Sequence, residues 1–309
     1  MTRLLAGILL AALLATAPLG RAQPAATSPL TGSASLGTRS LDVEGTDAKF
    51  REDLNLDAGP RLFDLRLRYE PEGTAGAAVD RLELDAQGFG GDPFENLRFS
   101  VRNFGHYRVA LNRHRSKFFY DDTILPAALA SVSGSTGGDF HRFDFERTRT
   151  TADVEIDVAP ATQLSLGLER QTRTGASATT LTVERDEFDF DRPLDESLDG
   201  LTFGVRHAWR RATLIVTEEL RDFRNTSELV LPGASPGRNL TDGASLSFFT
   251  RDQSYDYASR GHALRVLASP TARVDLTAAW RREDLDLDAH ASEQALGTTF
   301  SGAPLATAA

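Results

Sequence analysis

Apolar and polar residues alternate along much of this chain, most clearly over residues 151–170. The arm 152–158 places Ala, Val or Ile at every second position, with an acidic residue at each position between them. After 159–162, the arm 164–169 places leucine at every second position. Because strand side chains point to opposite faces in turn, each arm has one apolar face and one polar face. Two such arms joined by a short turn that contains Pro160 predict a β-hairpin.

The same unit recurs along the chain, and we count about eleven alternating arms. The turns at 159–162, 210–211 and 269–272 are short, whereas the connections around 119–141, 174–200 and 224–260 are long and polar. Short turns at one end of a sheet and long loops at the other are typical of outer-membrane barrels. The other arms lie at 34–44, 61–70, 79–87, 97–102, 107–112, 201–209, 214–218, 264–268 and 274–280.

These patterns predict an all-β fold, and within that class an antiparallel transmembrane β-barrel of the porin-like kind. Phe63 and Tyr69 bracket two leucines of one arm, as aromatic girdles bracket a lipid-facing band. The alternative is a soluble β-protein whose aromatics pack in a core. Eleven is an odd count, bacterial single-chain barrels have even counts, and 302–309 lacks an aromatic terminus. We therefore expect the barrel to be incomplete in this chain.

The first residues have the pattern of a secretory signal. A positive residue, Arg3, precedes the apolar run 4–17, and Gly20 and Ala22 supply the small residues of a cleavage site. We predict a signal peptide at 1–22, a flexible leader at 23–33 and an outer-membrane β-barrel at 34–309. The predicted location is the bacterial outer membrane, with outer-membrane lipid around the barrel.

Composition excludes several classes of protein. The formal net charge is −10. Because nucleic-acid binding requires a basic face, we do not expect a nucleic-acid partner. The absence of Cys excludes a lipoprotein anchor, a disulfide framework and c-type haem attachment. No nucleophile elbow, phosphate loop or zinc-protease motif is present. We therefore expect neither an enzyme nor a cofactor in this chain. The acidic residues of 186–199 suit a solvated loop better than a Ca²⁺ site, since they lack EF-hand spacing.

The polar face of the arms carries the candidate functional residues. In a barrel these side chains line the lumen, where mixed charge suits a water-filled pore or a docked protein plug. His207 and Glu218 depart from the pattern, because they are polar residues on the predicted apolar face. The seven lumen-facing candidates are Arg66, Arg68, Arg81, Glu83, Asp153, Glu155 and Asp157.

Four segments, 50–56, 118–122, 141–150 and 185–188, together with the hairpin spacing, carry a family resemblance. The chain resembles the decahaem-associated outer-membrane β-barrels of the MtrB/PioB type. The resemblance implies a sheath that holds a periplasmic multihaem c-type cytochrome, so that electrons cross the outer membrane. Any haem would then belong to the partner. Family members are longer than this chain, and some carry an N-terminal Cys motif that this chain lacks.

Three functions are therefore open from sequence. The first is the cytochrome sheath, the second is a general or substrate-specific porin without a cytochrome, and the third is a soluble surface β-protein.

Overall fold

The chain folds as one antiparallel meander sheet. The computed structural model describes residues 29–71, 78–121, 141–239 and 243–308. In these residues twelve strands form a single sheet, in which each strand pairs with its neighbours in sequence. Their bounds are β1 (Leu30–Arg39), β2 (Gly59–Tyr69), β3 (Arg81–Phe89), β4 (Phe94–Asn103), β5 (Tyr107–Asp121), β6 (Arg142–Ala159), β7 (Thr162–Val183), β8 (Asp186–Trp209), β9 (Ala212–Val230), β10 (Ser245–Thr271), β11 (Val274–Thr298) and β12 (Pro304–Ala308).

The prediction of an all-β fold is confirmed, and the strand count of about eleven becomes twelve. The predicted signal peptide at 1–22 and most of the connection 119–141 lie outside the described residues. β1 begins at Leu30, so 30–33 of the predicted leader pair with β2. No described helix is long and apolar enough to cross a membrane.

The prediction of long loops over 174–200 and 224–260 is wrong for most of these residues, since β9 continues to Val230 and β10 begins at Ser245. β7 continues to Val183, and β8 begins at Asp186 after a two-residue turn. Glu184 and Arg185 have φ of 50° and 80°, the left-handed backbone that tight hairpin turns require. Alternation persists through this ribbon, but polar residues dominate one face so strongly that the segment reads as a loop.

The sheet has two different ends. At the end that we call proximal, two-residue turns join β6 to β7, β8 to β9 and β10 to β11. At the distal end lie the β7–β8 turn and the longer connections β5–β6 and β9–β10. β10 has 27 residues, which at about 3.3 Å per residue is roughly 90 Å of extended chain. The strands β5 to β11 are longer than the ~10 residues that a barrel strand needs in lipid, whereas β1 to β4 are close to that length.

The buried core lies at the distal end. Phe188, Phe190, Leu246 and Phe249 are at most 2% exposed. The rings of Phe190 and Phe249 are 4.6 Å apart. This packing joins β8, β10 and the segment that precedes β10 into one cluster.

A short helix, α1 (Asp47–Asp53), lies against the distal part of β5 and β6. Arg51 binds Asp144 of β6 at 2.9 Å, and its guanidinium lies 3.9 Å from the ring centre of Phe119 of β5. Just after the helix, Asp57 accepts a 2.6 Å hydrogen bond from Lys117 of β5. These contacts attach the β1–β2 connection to the sheet.

Candidate functional site

An apolar belt crosses face A, which we define as the side of the sheet to which Leu166 and Phe203 point. Directly paired residues of neighbouring strands lie on the same face, so the registers identify the belt from β2 to β11. Many of its side chains are exposed, including Ile156 at 44% and Trp280 at 54%. Its central residues, one on each strand, are Leu67, Leu84, Phe99, Val109, Val154, Leu166, Val205, Val216, Val266 and Ala278.

The belt crosses the rows of paired residues diagonally. The row that starts at Leu67 ends at Asp284 in β11, six positions distal of Ala278 at the centre of the belt. The strands are therefore inclined to the belt, as strands are inclined to the axis of a barrel. This row runs through Leu84, Phe99, Leu111, Ala152, Leu168, Leu201, Leu220 and Arg260.

The seven sequence-predicted candidates all lie on the opposite side, face B. Arg68, Glu83 and Asp153 belong to one row of paired residues. Arg81 and Glu155 belong to the next row in the proximal direction, and Asp157 to the one after that. Arg66 lies one row distal of Arg68, opposite Asp85. The structure thus brings the seven together as one charged band.

An ion-pair network occupies the β2–β3 side of this band. Glu70 accepts hydrogen bonds from Arg68 at 2.7 Å and from Arg81 at 2.5 Å. These two bonds lower the pKa of Glu70 below its ordinary value. Glu83 also lies 3.7 Å from Arg81. Two arginines and two glutamates therefore hold the proximal ends of β2 and β3 together.

The β6 side of the band is acidic and bordered by small residues. Glu155 lies 3.9 Å from Arg108, and Asp157 accepts a 3.1 Å hydrogen bond from Gln163. Asp153 lies between Ala110 and Gly167, and a Cβ on Gly167 would lie 3.4 Å from its carboxylate. Beyond Gly167, glycine recurs on face B at Gly200, Gly204 and Gly261, with charged neighbours that include Glu169 and Glu219.

The two faces exchange character along single strands. On the distal part of β8, face B carries the buried Phe188 and Phe190, while face A carries Asp195 and Asp199. From Leu201 onward face A is apolar except for His207. The β7–β8 register continues without a bulge through this point, so the change lies in the sequence and not in the backbone. The acidic or small face-A residues at this boundary are Asp199, Asp222, Ala258 and Asp286.

The two polar departures on face A have partners. His207 Nδ1 lies 2.8 Å from the Thr162 hydroxyl. Glu218 is paired with His262 of β10, whose Nδ1 is hydrogen-bonded to the carboxylate. Sequence reasoning missed His262, because its partner is 44 residues away and only the β9–β10 register brings the two together. His207 lies near the proximal turn, two residues before Trp209, and Glu218 lies within the belt between Val216 and Leu220.

The structure also bears on the acidic residues of 186–199. They lie on a strand, alternating between faces, rather than in a loop. Within the described ranges, no group of three or more His, Asp or Glu side chains could hold a metal ion.

No protein-family model, curated protein or solved structure matches this chain.

Proposed function

We propose that this chain forms the wall of an outer-membrane β-barrel, with the apolar belt of face A toward lipid and face B toward the interior. The observation that carries the proposal is the exchange of faces on β8 at Asp199–Leu201. An exposed apolar face belongs in a hydrocarbon environment. A strand that leaves the membrane for water loses its apolar surroundings on the outer side, so its outer face turns polar and any apolar core must lie on its inner side. β8 does both.

A soluble sandwich does not account for this exchange. In a sandwich the same face of a strand meets the core along its whole length, so the alternation keeps one phase. The belt residues Leu168 and Leu201 are also exposed by 50% and 38%. A contiguous exposed apolar surface of this extent marks a binding or membrane surface.

The dimensions of the belt support a membrane position. On β8 it runs from Leu201 to Trp209, about 27 Å at 3.3 Å per residue. Because the strands are inclined to the barrel axis, the height of the belt along that axis is smaller than its length along β8. This brings it toward the ~25 Å apolar band of outer-membrane barrels.

Within this barrel we propose the role of a sheath around a periplasmic multihaem c-type cytochrome. The family resemblance supports it. The haem and the electron transfer would belong to the partner, and this chain would supply the electrically insulating wall. The charged band that contains Arg68 and Asp153 favours a second candidate, a porin that conducts solutes without a partner.

Membrane fractionation followed by gel electrophoresis of unheated and heated samples tests the proposal. A membrane-bound, heat-modifiable band that stains for haem when unheated supports the sheath. The same band without haem, together with conductance in a planar bilayer, supports the porin. Protein that stays in the aqueous fraction rejects both and leaves the soluble β-protein.

A further inference from the structure

A polar cavity of about 680 Å³ lies on face B of β2 to β5. Four of its side chains belong to one row of paired residues, Arg66, Asp85, Arg98 and Asn112. The volume falls within the ~300–1,000 Å³ range of small-molecule sites. Of these four residues, only Arg66 belongs to the charged band, so the cavity continues the polar surface of that band in the distal direction.

The next row in the distal direction supplies amide and imidazole groups. Gln87 Nε2 donates a 3.2 Å hydrogen bond to Asp64, and Asn96 Oδ1 lies 2.7 Å from His114 Nδ1. Each of these bonds fixes one end of an amide. The other ends, Gln87 Oε1 and Asn96 Nδ2, make no further hydrogen bond with the described residues. One acceptor and one donor are therefore available to a ligand in the cavity.

The formal charges of the face-B side chains in these two rows of β2 to β5 cancel. Arg66 lies 3.3 Å from Asp64 and 4.0 Å from Asp85. Arg98 is the register partner of Asp85, but its guanidinium makes no hydrogen bond or ion pair with the residues that the structure describes. Two arginines and two aspartates thus leave no net charge, while the N–H donors of Arg98 are free for a ligand.

An exposed aromatic ring borders the cavity. Phe94 precedes Asn96 by two residues on β4, so both side chains point to face B. Phe94 is 58% exposed, and its ring is stacked on the imidazole of His114 with 6.5 Å between the centres. The face of an aromatic ring is electronegative and attracts C–H groups. The ring therefore offers a packing surface beside the hydrogen-bonding groups.

We propose that this cavity binds a neutral, hydroxyl-rich solute of the sugar class. A hydroxyl both donates and accepts hydrogen bonds, so a sugar matches amides, a free guanidinium and a carboxylate that lie side by side. The C–H face of a sugar ring would pack on Phe94. An anion is disfavoured because an aspartate balances each arginine. As a solute site inside a barrel, the inference rests on the proposed function, since only the barrel places face B in the interior, and it names the solute class of the porin candidate.

Calorimetric titration of the full chain, in micelles of a detergent without a sugar headgroup, tests the proposal. The probes are glucose, sucrose and maltotriose, with citrate as a polar anion for comparison. We expect saturable binding of at least one sugar and tighter binding of that sugar than of citrate. Absence of binding for all three sugars, or tighter binding of citrate, would overturn the proposal.

Two pairs of variants locate the site. Arg98→Ala should weaken sugar binding about tenfold or more, as expected when hydrogen bonds from a charged donor are lost. Arg102→Ala removes the same charge from the same face of β4, outside the cavity, and should leave the affinity unchanged. Phe94→Ala should weaken binding as well, whereas Phe104→Ala, which removes a ring that is 60% exposed in the β4–β5 turn, should not.

Equal losses of affinity in a variant and its control would place the sugar elsewhere and overturn the assignment. Arg98 has no bonded partner among the described residues, so its replacement leaves the surrounding hydrogen bonds in place. Because binding is measured in micelles and does not require membrane localisation, this experiment can fail independently of the proposed function.

Discussion

The proximal and distal halves of the sheet use the same strands for opposite purposes. In the proximal half, face A is apolar and exposed, with Phe203 at 44%, and face B is charged. In the distal half, face B carries Phe190 and Phe249, each 1% exposed, and face A carries aspartates. Because the backbone pairing continues unchanged, the surroundings of each half decide which face must be apolar. The distal half has a buried core of its own, and the proximal half presents an exposed apolar surface.

The largest expected effect comes from removing a ring from the distal core. Phe249→Ala should destabilise the distal half by about 3–5 kcal/mol, the usual cost of a buried Phe→Ala cavity. Hydrogen exchange over 186–192 and 229–249 should accelerate sharply. Phe203→Ala is the matched control, since lipid or detergent can fill the space that an exposed ring leaves. Equal acceleration of the distal segments by both variants would contradict the division into two halves.

A charge placed on the belt should distinguish the two faces of the proximal half. Val205→Arg, at the centre of the belt between Leu164 and Val216, should cost about 2–4 kcal/mol, the range for arginine on the lipid face near the middle of a membrane barrel. It should also reduce the amount recovered in the membrane fraction. Thr202→Arg places the same residue on face B and should be recovered normally. If both variants lose membrane association alike, face A is not the lipid-facing side.

A smaller effect should follow from loosening α1. Arg51→Ala removes the ion pair with Asp144 and the contact with the Phe119 ring, together worth about 1 kcal/mol at this partly exposed position. Limited proteolysis within 40–58 should become faster, with no change in the β8–β10 region. Lys49→Ala on the same helix, whose partner is the local Asp53, should leave the cleavage rate near that of the unaltered protein. A similar rate in both variants would mean that Arg51 does not fasten the helix.

The smallest effect concerns the pH dependence at Glu70. Its pKa is lowered because Arg68 and Arg81 donate hydrogen bonds to the carboxylate. The stabilisation is therefore present at neutral pH, above the pKa of an unfolded glutamate, and is lost as the pH falls through the lowered folded value. Hydrogen exchange at 67–69 and 81–83 should be faster in Glu70→Gln at neutral pH. In strong acid Glu70 is protonated, so the difference in exchange rate between the two proteins should vanish. A difference that persists there would mean that the negative charge of Glu70 is not its cause.

The residue pattern alone determined the strands and their faces. A period of two is a local property, so the hairpin at 152–168 and the common face of Arg66, Arg81 and Asp153 followed without any tertiary information. Where alternation was hidden by acidic residues, as in 186–199, the strand was missed. Asp189, Asp191, Asp195 and Asp199 occupy one face, and the phenylalanines that signal a strand occupy the other.

The tertiary structure decided what depends on pairing between distant segments. The register placed His262 beside Glu218 and inclined the apolar belt to the rows of paired residues. It also packed Phe190 on Phe249, 59 residues later in the chain. The physical reason is that side-chain alternation says which way a residue points. Which residue it then meets depends on hydrogen-bond registers that accumulate strand by strand across the whole sheet.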